Sequence, residues 1–315
     1  MSTTVEIVLP VFGLLLAGWL MARIRLLSPD GVRGLTTFVF YIAIPALLFR
    51  NLGLGQTPGF GDLAIVAAYF LPSLAIVAVA GLLLGRLLGL KPTERVVFGM
   101  GGAFSNNVQL GIPLVLAAYG EGALVLLMLI ISVHSIVMIG VPTATMEIVR
   151  GKGDRAGTVL RTTLKALVRN PIIVALCAGL IWGIAGWPIP ALVDRFAGML
   201  GQAAVPCSLF AMGAALAGYR LAGAMRDAVL TAGVKLLLHP VLVWLMASVV
   251  LDLPPLQVAV ATTAAALPIG VNVFILAQTY ETYTARASSA IVLSTAASII
   301  SLGLLVTYFR FTLGA

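Results

Sequence analysis

The 315-residue chain is 61% hydrophobic and only 10% charged, with a net charge of +8. Soluble domains carry roughly a quarter of charged residues, so this composition excludes a soluble globular protein and points to a chain that crosses the bilayer many times. The basic residues fall in alternate connections rather than on one face of a soluble domain, which excludes nucleic acid as a partner and reports topology instead.

Apolar runs of about 20 residues, each long enough for about 30 Å of hydrocarbon, predict an all-α membrane protein with ten spans. In order these are Val5–Ile24, Gly34–Leu52, Asp62–Leu83, Val96–Tyr119, Ala123–Met146, Ala166–Ile184, Pro190–Leu216, Ala228–Leu251, Leu256–Tyr280 and Ala287–Phe309. The opening MSTTVE has no Lys or Arg, and Arg23 and Arg25 follow the first run, so that run reads as a retained span rather than a secretory leader. Pro45 in the second span and Pro206 in the seventh predict a kink or break, with Tyr41 and Ser208 nearby either reaching a substrate or packing the scaffold. Cys177 and Cys207 lie inside apolar spans and read as small buried hydrophobes; no disulfide, metal site or cofactor is expected. Trp182, Trp187, Tyr308 and Phe309 suit interfacial belts, and Asp62, Asp194, Arg195, Asp227 and Asp252 suit solvated span ends.

The fourth span is different in kind. Asn106, Asn107, Gln109, Gly111 and Pro113 interrupt it at its middle, and a lipid-facing helix has no use for them. Pro113 cannot donate to the helical ladder and Gly111 favours non-helical backbone, so two half-helices are predicted to meet around Asn107–Ile112. Backbone left open at membrane depth is tolerated only where protein buries it or a water-filled cavity touches it, which marks an interior site for a polar solute. The ninth span is interrupted likewise by Pro268, Gly270 and Asn272. A single Pro would mean only a kink. Two polar breaks point to spans that cross there and offer backbone amides, carbonyls and Asn side chains to one shared site.

A shift that brings Pro10 onto Pro171 also brings Ala17-Gly18 onto Ala178-Gly179, Pro45 onto Pro206, Leu48-Phe49 onto Leu209-Phe210 and Tyr119 onto Tyr280. Duplication accounts for this, with residues 1–155 as a first five-span repeat and 156–315 as a second, and an odd span number inverts the second relative to the first. Lys and Arg concentrate in connections one, three, five, seven and nine, including Arg86, Lys91 and Arg95, the stretch Arg150–Arg169, and Arg220 and Arg226, against only Arg50, Arg195 and Arg310 opposite. The positive-inside rule makes the odd connections cytoplasmic and both termini extracytoplasmic, in a multi-pass protein of the cell's inner (plasma) membrane.

Asn106 followed by Gly111-Ile112-Pro113-Leu114 and Tyr119-Gly120, then Leu267-Pro268, Gly270, Phe274, Ala277 and Tyr280, together with Pro45 and Leu293-Ser294-Thr295-Ala296, resemble the auxin efflux carrier family, whose bacterial members include malonate and malate permease-like proteins. The resemblance runs nearly end to end, but the long central loop of many plant members is reduced to about Arg150–Arg169. It implies spans one, two, six and seven as a scaffold, through which a homodimer forms, spans three to five and eight to ten as a moving transport domain, and carboxylate-bearing anions as substrates. Ser105-Asn106 replaces the Pro-Asn pair of plant members, and Val273 beside Asn272 replaces a second Pro. These departures fall in the site and bear on the identity of the substrate.

Half-helix N-termini expose unpaired N–H groups and partial positive charge, which suits a carboxylate without a buried Arg. Asn106, Asn107 and Asn272 can orient it through amide hydrogens, or else make interhelical bonds that hold the bundle together. Intramembrane ionisable groups are functional candidates: Lys235 and His239, four apart on span eight, and His134 on span five. Lys235 takes the place of a bound cation, takes part in proton coupling, or snorkels to the surface; the histidines otherwise read as neutral packing groups. The rivals to an organic-anion carrier are an anion channel and a cation-coupled symporter or antiporter on the same crossed-helix fold. An intramembrane enzyme finds no HExxH, GxSxG or acidic pair at span centres.

Overall fold

A computed structural model describes residues 2–55, 58–151, 165, 168–219, 221 and 225–314, with side chains from residue 9 onward. Lys152, Arg155, Arg161 and Arg220, and the expected repeat boundary after residue 155, lie outside the described residues. Among those residues the chain is helical throughout, without a strand. Its helices are α1 Ser2–Arg23, α2 Pro29–Gly53, α3 Phe60–Leu87, α4 Pro92–Ala103, α5 Asn107–Tyr119, α6 Glu121–Val149, α7 Pro171–Ile184, α8 Ala191–Leu216, α9 Met225–Val250, α10 Pro255–Ala266, α11 Asn272–Thr279 and α12 Thr284–Leu313. Six of them (α2, α3, α6, α8, α9 and α12) are long and apolar enough to cross a membrane.

Local sequence sets the ends. Pro29, Pro92, Pro171 and Pro255 open helices where a missing N–H costs nothing. The Ser28 hydroxyl accepts from the Gly31 N–H at 3.1 Å, and the Asn170 side-chain Oδ1 from the Ile172 N–H at 2.9 Å, as N-caps. Inside the helices, wide π-type turns at Val39–Ala43, Asn107–Gly111 and Val234–Leu238 each end two residues before a proline, Pro45, Pro113 and Pro240. A proline clashes with the carbonyl four residues back and cannot bond to it, and a wider turn just before it relieves that clash while the helix continues. Pro45 therefore does not break α2, and α8 runs on through Pro206.

The chain divides into two packed units. The first holds α1, α2, Val108–Ser132, α7 and α8. There α1 lies against α8 and α2 against α7 and α8. The α1–α8 contact is backbone to backbone: a Cβ at Gly18 would stand 2.0 Å from the Phe210 carbonyl oxygen, and one at Gly213 1.8 Å from that of Leu15, the close approach that small residues give membrane helices. The second unit holds α3, α4, α6 from Val133 onward and α9 to α12. Here α3 packs on α4 and α9, and α10 on α9 and α12.

Three expectations are corrected here. Cys177 is exposed and Cys207 half-buried, both unpaired, so Cys177 is not a buried hydrophobe. Phe309 packs inside the second unit, whereas Tyr308 and Trp187 stay exposed as a belt requires. Asp227 is not a solvated end charge: it is 3% exposed, with Arg226 and Arg286 each 3.3 Å from its carboxylate, while Arg286 also holds Glu94 at 2.9 Å. Beside this cluster burial pushes the Tyr283 phenol up to about 12, so it stays a donor at neutral pH, 3.2 Å from Thr231 Oγ1.

Candidate functional site

The site is built in the second unit where α4 and α10 end. Helical bonding stops at Ala103 and Ala266 because Phe104 and Leu267 turn extended, with ψ of 107° and 150°. The two breaks then pair as a short antiparallel bridge, Ser105 opposite Ile269. The Asn106 N–H donates to the Pro268 carbonyl and the Gly270 N–H to the Phe104 carbonyl, both at 3.0 Å. Thus the backbone groups that each break frees are satisfied by the other, as buried backbone requires. The Ile269 N–H is taken by the Ser294 hydroxyl at 3.1 Å. Gly270 leaves room for the Phe104 ring beside this pairing, since a Cβ there would lie 2.7 Å from that ring.

The first break lies a few residues earlier than expected. Phe104–Asn106 is the open segment, and Asn107–Gly111 already forms the first, wide turn of α5. Gly111 and Pro113 are buried within α5 rather than at the break, because the wide turn absorbs the missing Pro113 N–H. Gln109 is half-buried, and its carbonyl accepts from the Ser208 hydroxyl at 2.9 Å in the first unit, so Ser208 is a packing residue. Asn106, Asn107, Pro268 and Gly270 are buried at the crossover, and half-buried Asn272 opens α11.

Behind the breaks stands a continuous polar cluster. The Tyr69 hydroxyl donates to Ser105 Oγ at 3.0 Å, and Asn107 Nδ2 lies 3.3 Å from Tyr69 Oη and 3.2 Å from His134 Nδ1. The His134 ring meets the Phe104 ring edge-on, centroids 4.7 Å apart. Lys235 and His239, both 0% exposed, face inward from the wide turn of α9 and the residue after it. Lys235 Nζ donates to the Ala265 carbonyl and approaches His239 Nδ1 at 3.3 Å, and His239 Nε2 sits 2.8 Å from Ser73 Oγ, which donates to the Tyr69 carbonyl at 2.6 Å. With Ser73 donating onward, His239 carries its proton on Nε2 and accepts from Lys235 on Nδ1. Lys235 is therefore no snorkelling side chain. It places a hydrogen-bond donor on a last-turn carbonyl of α10, where helical bonding ends.

The family model described as "Membrane transport protein" matches residues 3–306. A "Putative malonate transporter" of Rhizobium meliloti (strain 1021) is 32% identical over 306 residues, covering 95% of this chain and 93% of the relative. The chain belongs to this family, that of the auxin efflux carriers. It is an integral membrane transporter and not an enzyme. An "Uncharacterized transporter" of Methanothermobacter thermautotrophicus is 26% identical over 302 residues, covering 95% of this chain and 96% of the relative. "Auxin efflux carrier component 8" of Arabidopsis thaliana is 23% identical over 344 residues, covering 91% of this chain and 92% of the relative. Tyr69 and Ser73 are the members of this polar cluster that sequence reading missed, since two hydroxyls in an apolar span do not stand out by themselves.

Proposed function

We propose that this transporter carries small organic anions, auxin-like monocarboxylates or malonate- and malate-like dicarboxylates, which bind at the paired breaks. The observation that carries the reading is the bridge of Asn106 N–H to the Pro268 carbonyl and Gly270 N–H to the Phe104 carbonyl. It stacks two helix C-termini and two helix N-termini in one buried place. The C-terminal carbonyls are answered from within the protein, by each other's amides and by Lys235. The N-termini of α5 and α11, with Asn106, Asn107 and Asn272 beside them, remain as the electropositive end that suits a carboxylate. Neutral amides hold such a ligand without trapping it.

The antiparallel sense of the bridge is what two inverted five-span repeats would present, and supports a ten-span protein in which α4 with α5, and α10 with α11, each make one broken span. In this reading α1, α2, α7 and α8 are the scaffold, and the helices around the crossover move by an elevator-type step. Asn106→Ala and Asn272→Ala each remove an amide from the ligand. A hydrogen bond to a charged group is worth about 1.5–3 kcal/mol, so the dissociation constant for malonate or another bound carboxylate should rise roughly 10- to 100-fold. Calorimetry on folded, monodisperse variants measures it. Wild-type affinity in both variants would remove the crossover as the recognition site, and linear, non-saturating flux in liposomes would make the protein a channel.

A further inference from the structure

We infer that Tyr69 and His134 are positioning residues for the anion site: by holding Ser105 and Asn107 they set Asn106, which lies between the two in the chain, and Asn107 gives its amide to this task rather than to the ligand. The inference rests on the crossover reading above. Phe104–Asn106 has left α4 and not yet entered α5, so no helical ladder fixes it. One tie is made by the backbone, where the Asn106 N–H donates to the Pro268 carbonyl at 3.0 Å. The others are made by side chains. Tyr69 of α3 uses its hydroxyl twice, donating to Ser105 Oγ at 3.0 Å and accepting from Asn107 Nδ2 at 3.3 Å. The second hydrogen of that amide goes to His134 Nδ1 of α6, at 3.2 Å. All of these groups belong to the second unit.

Three observations separate this role from ligation and from packing. Asn107 is 2% exposed against 8% for Asn106. Both hydrogens of its amide are taken, and its Oδ1, sealed and without a partner, is an acceptor with nothing to donate to a carboxylate. The Tyr69 ring meets the His134 and His239 rings at centroid distances of 5.8 and 5.6 Å and the Phe70 ring at 5.0 Å, so its hydroxyl stands at a fixed point. The cluster also leaves Asn107 Oδ1 and His134 Nε2 buried without partners among the described residues. An apolar core of the same volume would carry neither cost. Polar groups held in that condition are the kind whose geometry is put to use, and a donor set in place before the ligand arrives binds it with less ordering to do.

The test measures binding of malonate and malate by calorimetry, and the melting temperature of the empty protein, on purified, monodisperse variants. Tyr69→Phe keeps the ring and removes both hydroxyl bonds. It should raise the dissociation constants about 3- to 30-fold, less than Asn106→Ala does, because a misaligned amide loses part of a hydrogen bond to a charged group and not all of it. His134→Leu should do the same, whereas His134→Asn, whose Oδ1 falls near the place of Nδ1, should recover most of the affinity. In an Asn106→Ala background neither Tyr69→Phe nor Asn107→Ala should have a further effect, since both act through Asn106; a ligating Asn107 would add its own loss. Wild-type affinity in Tyr69→Phe with only a lower melting temperature would make the cluster mere packing and overturn the inference, as would a loss in either variant that adds in full to that of Asn106→Ala. Both outcomes leave the crossover reading standing. Wild-type affinity in Asn106→Ala and Asn272→Ala would bring down that reading, and the inference with it.

Discussion

At the scale of single residues, Lys235 illustrates how a broken helix creates a demand that one side chain meets. The carbonyls at the end of α10 lose their helical partners where Leu267 turns away, and Nζ of a fully buried Lys235 answers one of them while also holding His239. Lys235→Met keeps the bulk and removes the hydrogen-bond donor, leaving the Ala265 carbonyl and His239 Nδ1 without a partner. Each orphaned group costs about 1–3 kcal/mol, so the expected result is a marked fall in thermal stability of the purified, empty protein. A lysine that served ion coupling alone would behave otherwise, changing the pH or sodium dependence of uptake and leaving the melting temperature where it was. Sequence alone left Lys235 between coupling, cation replacement and snorkelling, because span position does not reveal that a wide turn rotates its side chain inward.

At the scale of elements, the crossover is held by shape as well as by hydrogen bonds. Gly270 leaves room for the Phe104 ring, and that ring is itself pressed edge-on against His134. Gly270→Ala should therefore destabilise the protein by about 1–3 kcal/mol, the usual cost of overpacking, and the double variant with Phe104→Leu should recover part of the loss because the smaller side chain gives way. Thermal unfolding of the two singles and the double closes the cycle; strict additivity would show that Gly270 and Phe104 do not meet. The existence of both breaks was legible from Pro268, Gly270 and the polar run after Ser105, since such residues have no place in a lipid-facing helix. The position of the first was misread, because Gly111 and Pro113 looked like the break when a π-type turn lets the helix pass through them. Tyr69 and Ser73 stayed hidden for a related reason: one or two hydroxyls in an apolar span carry no signal until another helix brings its own polar groups against them.

At the scale of the whole molecule, the distribution of charge predicts its sense in the membrane. Lys and Arg fall in the odd connections, and the described ends of the helices on that side gather Glu94, Asp227 and Arg286 into one cluster, whereas Arg50 and Asp194 pair in the other unit. In the ten-span reading proposed above, the positive-inside rule predicts that Arg150–Arg169 faces the cytoplasm and that both termini face out. A cysteine-free background comes first, because Cys177 is exposed and would itself react with some reagents. Single cysteines are then introduced at Ser2, at Thr312 near the end of α12, and at exposed Val168 beside the central connection. In intact cells an impermeant maleimide should label the first two and reach Val168→Cys only after permeabilisation. The opposite pattern would invert the protein. Labelling of Ser2→Cys and Thr312→Cys from opposite sides would mean an odd number of spans, and with it the loss of the inverted-repeat reading that the paired breaks support.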